Sequence, residues 1–114
     1  MHEAAISDAL LGQLTTLAAQ RGWHQLVEVH VRVGLLSGVV PEALSFAFAA
    51  LGKGTVADGA ALVFETEPAR FACVQCGEID QDRIQFVCPR CAGPLRLLHA
   101  SRDLLLCGVT PATD

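Results

Sequence analysis

The chain has 114 residues, is 52% hydrophobic and carries a formal net charge of −4. That length suits one ordinary domain, or one small domain with a stapled module, and no apolar run approaches the ~20 residues of a membrane-spanning helix. The acidic balance speaks against a chain that grips nucleic acid through a broad basic surface.

In chain order, residues 3–21 predict an amphipathic helix. Ile6, Leu10, Leu14 and Leu17 recur at helical spacing, with Leu11 and Ala18 widening the stripe. Glu3 and Asp8 near its start and Arg21 at its end suit the helix dipole, and Gly22 is a natural stop. Residues 26–36 predict a strand. Val27, Val29, Val31 and Val33 alternate with Glu28, His30 and Arg32, so the sheet is expected to be covered on one face only, with His30 on the solvent side. After a turn at Ser37-Gly38-Val39-Val40, Pro41 suits the first position of a second helix. Its expected buried stripe is Leu44, Phe48 and Leu51, with Phe46 and Ala47 beside it, and Gly52 ends it. Residues 53–60 read as a loop and 61–67 as a second strand, closed by Pro68.

Two matched pairs follow: Cys73-Val74-Gln75-Cys76 and Cys88-Pro89-Arg90-Cys91. Four thiolates in two tight turns are the ligand set of a tetrahedral zinc ion. Gly77 after Cys76 and Gly93 after Cys91 support this, because such turns point backbone N–H groups at sulfur and often need a residue at positive φ just beyond the second cysteine. All four positions would be filled, so the ion is expected to stabilise rather than react. Two disulfides in an exported protein fit less well, since the first residues lack a basic region followed by an apolar stretch. A single redox pair would not come doubled. The chain is therefore expected to be cytoplasmic, where thiols stay reduced. Residues 70–101 hold few large apolar side chains, so this segment should depend on its metal to fold. Phe71 and Phe86 are its aromatics, and one or both are expected to pack under the metal. Arg70, Arg83, Arg90, Arg96 and Arg102 lie in or beside it, offset by Glu78, Asp80, Asp82 and Asp103. Residues 104–109 read as one more strand. If it returns to the first sheet, the cysteine module is an insertion within one domain. Cys107 in this strand reads as a small buried hydrophobe.

The chain begins Met1-His2-Glu3. The free α-amine, the His2 backbone nitrogen and the His2 imidazole can close consecutive chelate rings on one cation, and the Glu3 backbone nitrogen can add a donor in the same plane. Planar nitrogen donors suit Ni²⁺ or Cu²⁺ rather than tetrahedral Zn²⁺. The Glu3 carboxylate could bind directly or hold the geometry from behind. His99 is a further donor to weigh, with a plain surface position as its simpler reading.

Met1-His2-Glu3, an opening helix, a β-α-β stretch, then Cys-x-x-Cys-Gly and Cys-Pro-x-Cys closely resemble the HypA/HybF family of nickel metallochaperones over essentially the whole chain. The four cysteines alone occur in many zinc proteins; their union with Met-His-Glu is far more specific. The resemblance implies an α+β fold, a small sheet with two helices, plus an inserted four-cysteine zinc ribbon. It implies a nickel domain of residues 1–69 completed by a return strand 102–110, and a ribbon of residues 70–101. It implies nickel bound at Met1, His2 and Glu3, and structural zinc at Cys73, Cys76, Cys88 and Cys91. The implied role is delivery of Ni²⁺ toward the [NiFe]-hydrogenase large subunit with the GTPase HypB, and in some organisms toward urease. A zinc-ribbon module for protein or nucleic acid, with His2 incidental, is the alternative. No Ser/His/Asp set and no glycine-rich phosphate loop suggests an enzyme.

Overall fold

The computed structural model describes residues 2–113. Among them the chain forms α1 (Glu3–Arg21), β1 (Leu26–Gly34), α2 (Pro41–Leu51), β2 (Ala61–Glu67), β3 (Ala69–Cys73), β4 (Gly77–Gln81), β5 (Leu95–His99) and β6 (Leu104–Pro111). The strands make two three-stranded sheets, ordered β2-β1-β6 and β4-β3-β5. This is an α+β fold of two helices and two small sheets. The last strand returns to β1, so β3, β4 and β5 are inserted between two strands of the first sheet. By packing, the chain divides into two compact units. One takes in the chain up to Val31, Val39–Phe64 and the chain from Leu106; the other takes in Arg32–Gly38 and Glu65–Leu105.

In the first unit α1 packs against α2. The buried apolar side chains are Leu10, Leu11, Leu14 and Ala18 of α1, Leu44 and Phe48 of α2, Leu26, Val29 and Val31 of β1, and Ala57 in the loop before β2. The buried stripe of α1 differs from the apolar periodicity. Ile6 and Leu17 are only half-buried, and Glu3 and Ser7 complete the stripe in the first two turns. A stripe at positions 3, 7, 10, 14 and 18 keeps helical spacing, but its first two members are polar and so carry no hydropathy signal. Gly22 stops the helix in the left-handed conformation, at φ 72°, as a C-terminal glycine can without a Cβ penalty. Pro41 stands at the start of α2 as expected, and Gly52 ends it. The expected stripe of α2 is corrected at its end, since Leu51 is half-exposed and Phe46 points into solvent at 79% exposure. Only Leu44 and Phe48, one turn apart, face inward, because an eleven-residue helix touches the layer beneath it over a narrow strip.

In the second unit β3 pairs antiparallel with both β4 and β5. Its core is Ala69, Phe71, Cys73, Cys88 and Leu95, with Leu35, Cys76, Ile79, Leu97 and Ala100 packed against it. Sequence patterning left these short strands unassigned, because they alternate over five residues that also carry ligands and charges. Phe71 is fully buried as expected. Phe86 stays half-exposed and sets its edge against the Phe71 ring, centroids 5.9 Å apart at 78°. Gln81 and Gln85 close the linker between the cysteine pairs. Gln85 Nε2 donates to Gln81 Oε1 at 2.7 Å, and Gln81 Nε2 donates to the Gln85 carbonyl at 3.2 Å.

Gly34 is fixed by close approach in this unit. Its N–H donates to the Asp103 carbonyl at 2.9 Å. A Cβ there would meet the Ser101 carbonyl oxygen at 2.2 Å. That neighbour is backbone, held by the Leu36 N–H at 2.9 Å, so it cannot step aside cheaply. Gly34→Ala is expected to destabilise the protein by about 2–3 kcal/mol, read as a lower urea midpoint with an unchanged slope. A midpoint equal to that of the parent chain would contradict the packing described.

Candidate metal centre

The four Sγ atoms of Cys73, Cys76, Cys88 and Cys91 lie within 4.8 Å of one another. Cys73 Sγ is 3.5 Å from Cys91 Sγ, and Cys88 Sγ is 3.9 Å from Cys76 Sγ. Sulfurs on a tetrahedron around a zinc ion at ~2.3 Å stand ~3.8 Å apart. The thiols are therefore gathered to nearly the spacing that a single ion requires. Cys73 ends β3, and Cys76 falls in the turn leading to β4. Cys88 and Cys91 form a second turn, closed by the Ala92 N–H donating to the Cys88 carbonyl at 2.8 Å. Cys73 and Cys88 sit inside the core beside Phe71, while Cys76 and Cys91 lie nearer the surface.

The turns behave as anticipated, with one revision. Gly77 follows the first pair at φ 81°. After the second pair the left-handed residue is Ala92, at φ 62°, and not Gly93. Gly93 is needed for another reason. Its N–H donates to Cys91 Sγ at 3.4 Å, and a Cβ on it would stand 3.3 Å from that sulfur.

The backbone also sorts the thiols. The N–H groups of Cys76 and Gln75 hold the Cys73 thiol below its ordinary range. Those of Cys91 and Arg90 bring Cys88 down to about 7. The Cys91 thiol, burial and the Cys88 and Cys73 thiols push Cys76 up to about 12. Cys91 gains from the Gly93 N–H, but the Cys73 thiol, burial and Cys88 raise it on balance. The first cysteine of each pair is thus ready to ionise, and the second gives up its proton when a cation arrives to take the charge. Metal entry must release protons. Thiolate is present above the lowered Cys88 value and is lost as pH falls through about 7. The apparent zinc affinity is expected to fall by at least tenfold per pH unit below that point, as checked by competition with a chromogenic chelator across pH. A flat profile would contradict this picture.

Met1 lies outside the described residues. His2 is exposed and is the N-cap of α1, and its side chain makes no capping bond. Its carbonyl accepts the first helical hydrogen bond, from the Ile6 N–H at 2.8 Å. Glu3 is buried, and its Oε2 accepts from the Val40 N–H at 3.4 Å, so the carboxylate reaches the N-cap of α2. His99 is exposed at the end of β5. It lines an open cavity of about 550 Å³ with Arg32, Glu67, Pro68, Arg70 and Asp80. His30 is half-buried, 3.2 Å from Glu28 Oε1. Cys107 is corrected: it is exposed rather than a buried hydrophobe, because it falls with Leu105 on the exposed face of β6, while Leu104 and Leu106 alternate to the half-buried one. Among the described residues no helix is long and apolar enough to cross a membrane.

Fold and site together define a small metal-binding protein whose four-thiol cage is built into an inserted three-stranded sheet. Comparison with known proteins gives the family. The profile described as "Hydrogenase/urease nickel incorporation, metallochaperone, hypA" matches residues 1–109. The Picosynechococcus sp. protein named hydrogenase maturation factor HypA is 39% identical over 107 residues, 93% of this chain and 95% of that one. The Aquifex aeolicus protein of the same name is 33% identical over 107 residues, 93% of each. The chain belongs to the HypA family of nickel metallochaperones. Its fold also matches the solution structure of the Ni metallochaperone HypA from Helicobacter pylori, with a TM-score of 0.66 at 19% identity and full coverage of both chains.

Proposed function

We propose that this chain carries Ni²⁺ at its amino terminus and delivers it for maturation of [NiFe]-hydrogenase, with urease as a second client. Nickel is cargo, held by Met1, His2 and Glu3, and Zn²⁺ is the resident ion of Cys73, Cys76, Cys88 and Cys91. The single observation that carries the reading is the state of His2. It combines an exposed imidazole with a position just ahead of the first helical hydrogen bond. The N–H groups at a helix start have no acceptor within the helix. The backbone nitrogens of His2 and Glu3 can therefore lose their protons to a metal without breaking the helical ladder. The Glu3 carboxylate, turned to the Val40 N–H, supports the site from behind by fixing the first turn of α1.

Such a site is weak by design, because nitrogen donors at a chain end release metal more readily than a closed thiolate cage. The zinc cage has no place for substrate, so the protein works as a carrier and not as an enzyme. The working division is a nickel domain of residues 1–69 completed by the return strand 102–110, and a zinc ribbon of residues 70–101. The insertion of β3, β4 and β5 between strands of the first sheet supports that division. Its partners are the GTPase HypB and the hydrogenase large-subunit precursor, and it acts in the cytoplasm as a monomer or weak homodimer, without nucleic acid or membrane. The experiment is complementation. In a host lacking its own family member, the wild-type chain is expected to restore nickel to the hydrogenase, and His2→Ala at equal abundance is expected to leave it nickel-free. Equal restoration by both would overturn the reading.

A further inference from the structure

The open cavity beside His99 is lined by Arg32 of β1, Glu67 at the end of β2, Pro68, Arg70 of β3, Asp80 of β4 and His99 of β5. On β3, Arg70 is opposed by Asp80 on one side and by His99 on the other. The second pairing departs from its strand's register. Phe71 opposes Leu97, so an unbroken ladder would set Leu98 against Arg70. The register shifts between Arg70 and Phe71, and His99 stands there instead. Such a bulge re-aims a side chain, and bulges gather beside functional sites. Here it places an imidazole where the alternation calls for a leucine. Both guanidinium groups are steadied by carboxylates. Arg70 Nε donates to Asp80 Oδ1 at 3.2 Å, and its Nη1 donates to Glu78 Oε1 at 3.2 Å. Arg32 Nε is 3.7 Å from Glu67 Oε1. Among the described residues no hydrogen bond uses Nη2 of Arg70 or either Nη of Arg32.

We propose that Arg32, Arg70 and His99 form a binding site for a carboxylate group. The unused guanidinium N–H groups and an imidazole N–H supply donors to both of its oxygens, and a guanidinium fork matches a carboxylate in two parallel bonds. Charge sets the class of ligand. Glu67 and Asp80 balance the two arginines, and Glu78 stands against Arg70 as well. A dianion such as phosphate would meet more repulsion there than a singly charged carboxylate. Size leaves room for what bears the group, since a cavity of about 550 Å³ falls in the range of pockets that enclose small molecules. A free organic acid and the aspartate or glutamate side chain of a partner protein both present this chemistry. The site shares no residue with the four-thiol cage or with Met1, His2 and Glu3, so it stands or falls apart from the nickel reading. Arg32 and Arg70 are about half exposed, and ion pairs so open to water are weak.

The test is an NMR titration of the full zinc-loaded chain at constant ionic strength, read at the His99 ring and at the Arg32 and Arg70 Nε–H signals. The probes are acetate, a capped tripeptide with glutamate at its centre, and inorganic phosphate. Acetate is expected to shift these signals saturably with a Kd of ~1–10 mM, and phosphate is expected to bind more weakly. Tighter binding of the tripeptide than of acetate assigns the site to a partner's side chain, and equal binding assigns it to a free acid. Arg32→Gln is expected to raise the acetate Kd at least ~5-fold. Arg32→Lys keeps the charge but loses the fork, and is expected to fall between the two. Zinc content and circular dichroism show that each variant is folded. No saturable shift up to about 100 mM acetate overturns the proposal, as does phosphate binding more tightly than acetate, or a folded Arg32→Gln chain with the parent's Kd.

Discussion

Cys88→Ser is expected to cost the protein its zinc and to unfold the inserted sheet, while α1, α2 and β1 stay folded. Cys88 is 1% exposed and packs with Phe71, Ala69, Cys73 and Leu95, the fully buried apolar cluster of that unit among the described residues. One phenylalanine, one leucine and one alanine, backed by the half-buried Leu35, Ile79, Leu97 and Ala100, are too small a core to hold three short strands against their conformational entropy. In comparable zinc-folded peptides the ion supplies ~10–16 kcal/mol at neutral pH, several times what such a core can contribute. A hydroxyl is a poor replacement for a thiolate, and the three remaining sulfurs cannot close a tetrahedron. Zinc affinity is expected to drop by more than ~100-fold. Hydrogen exchange should then show residues 69–99 unprotected and Leu10, Leu14 and Val29 still protected. Protection retained across the whole chain in the zinc-free variant would show that the sheet folds without its ion.

His2→Ala is expected to abolish nickel binding and leave both fold and zinc content untouched. Most ligand substitutions confound the two effects, but this one separates them. The His2 side chain is exposed and makes no capping bond, and only its backbone carbonyl serves the helix. Alanine keeps that carbonyl. The loss is expected to exceed ~100-fold in nickel affinity, since even groups behind a ligand are worth ~10–100-fold, with no change in the urea midpoint. The nitrogens must be deprotonated to bind, so wild-type affinity should also fall with pH. Equilibrium dialysis of both proteins over a pH series checks both statements. A His2→Ala chain that still holds one nickel would move the site elsewhere.

The cluster of four thiols was legible in the sequence because a four-cysteine cage fixes the spacing of its pairs, and spacing survives in one dimension. Both helices and the two strands nearest them were legible because each buries one face, which writes a period of 3.6 or 2 into the residues. What stayed hidden has physical causes too. Glu3 and Ser7 are buried without being apolar, and Leu51 and Phe46 are apolar without being buried, so hydropathy misplaces all four. Cys107 read as a core residue because its neighbours are leucines. Its exposure follows from sharing the open face of β6 with Leu105, which an unbroken apolar run conceals. The left-handed Ala92 was invisible for a simpler reason: the adjacent Gly93 drew the expectation one residue too far.

The most direct test of nickel carriage at the terminus is a calorimetric titration of the zinc-loaded chain with Ni²⁺, made on two forms. One has a free α-amine, and the other is acetylated at that amine. Acetylation leaves every side chain in place and removes only the α-amine as a donor. The free form is expected to bind about one Ni²⁺, and the acetylated form is expected to bind at least ~100-fold more weakly. Equal binding by the two forms would contradict the account, because a site indifferent to the α-amine is not built on Met1, His2 and Glu3.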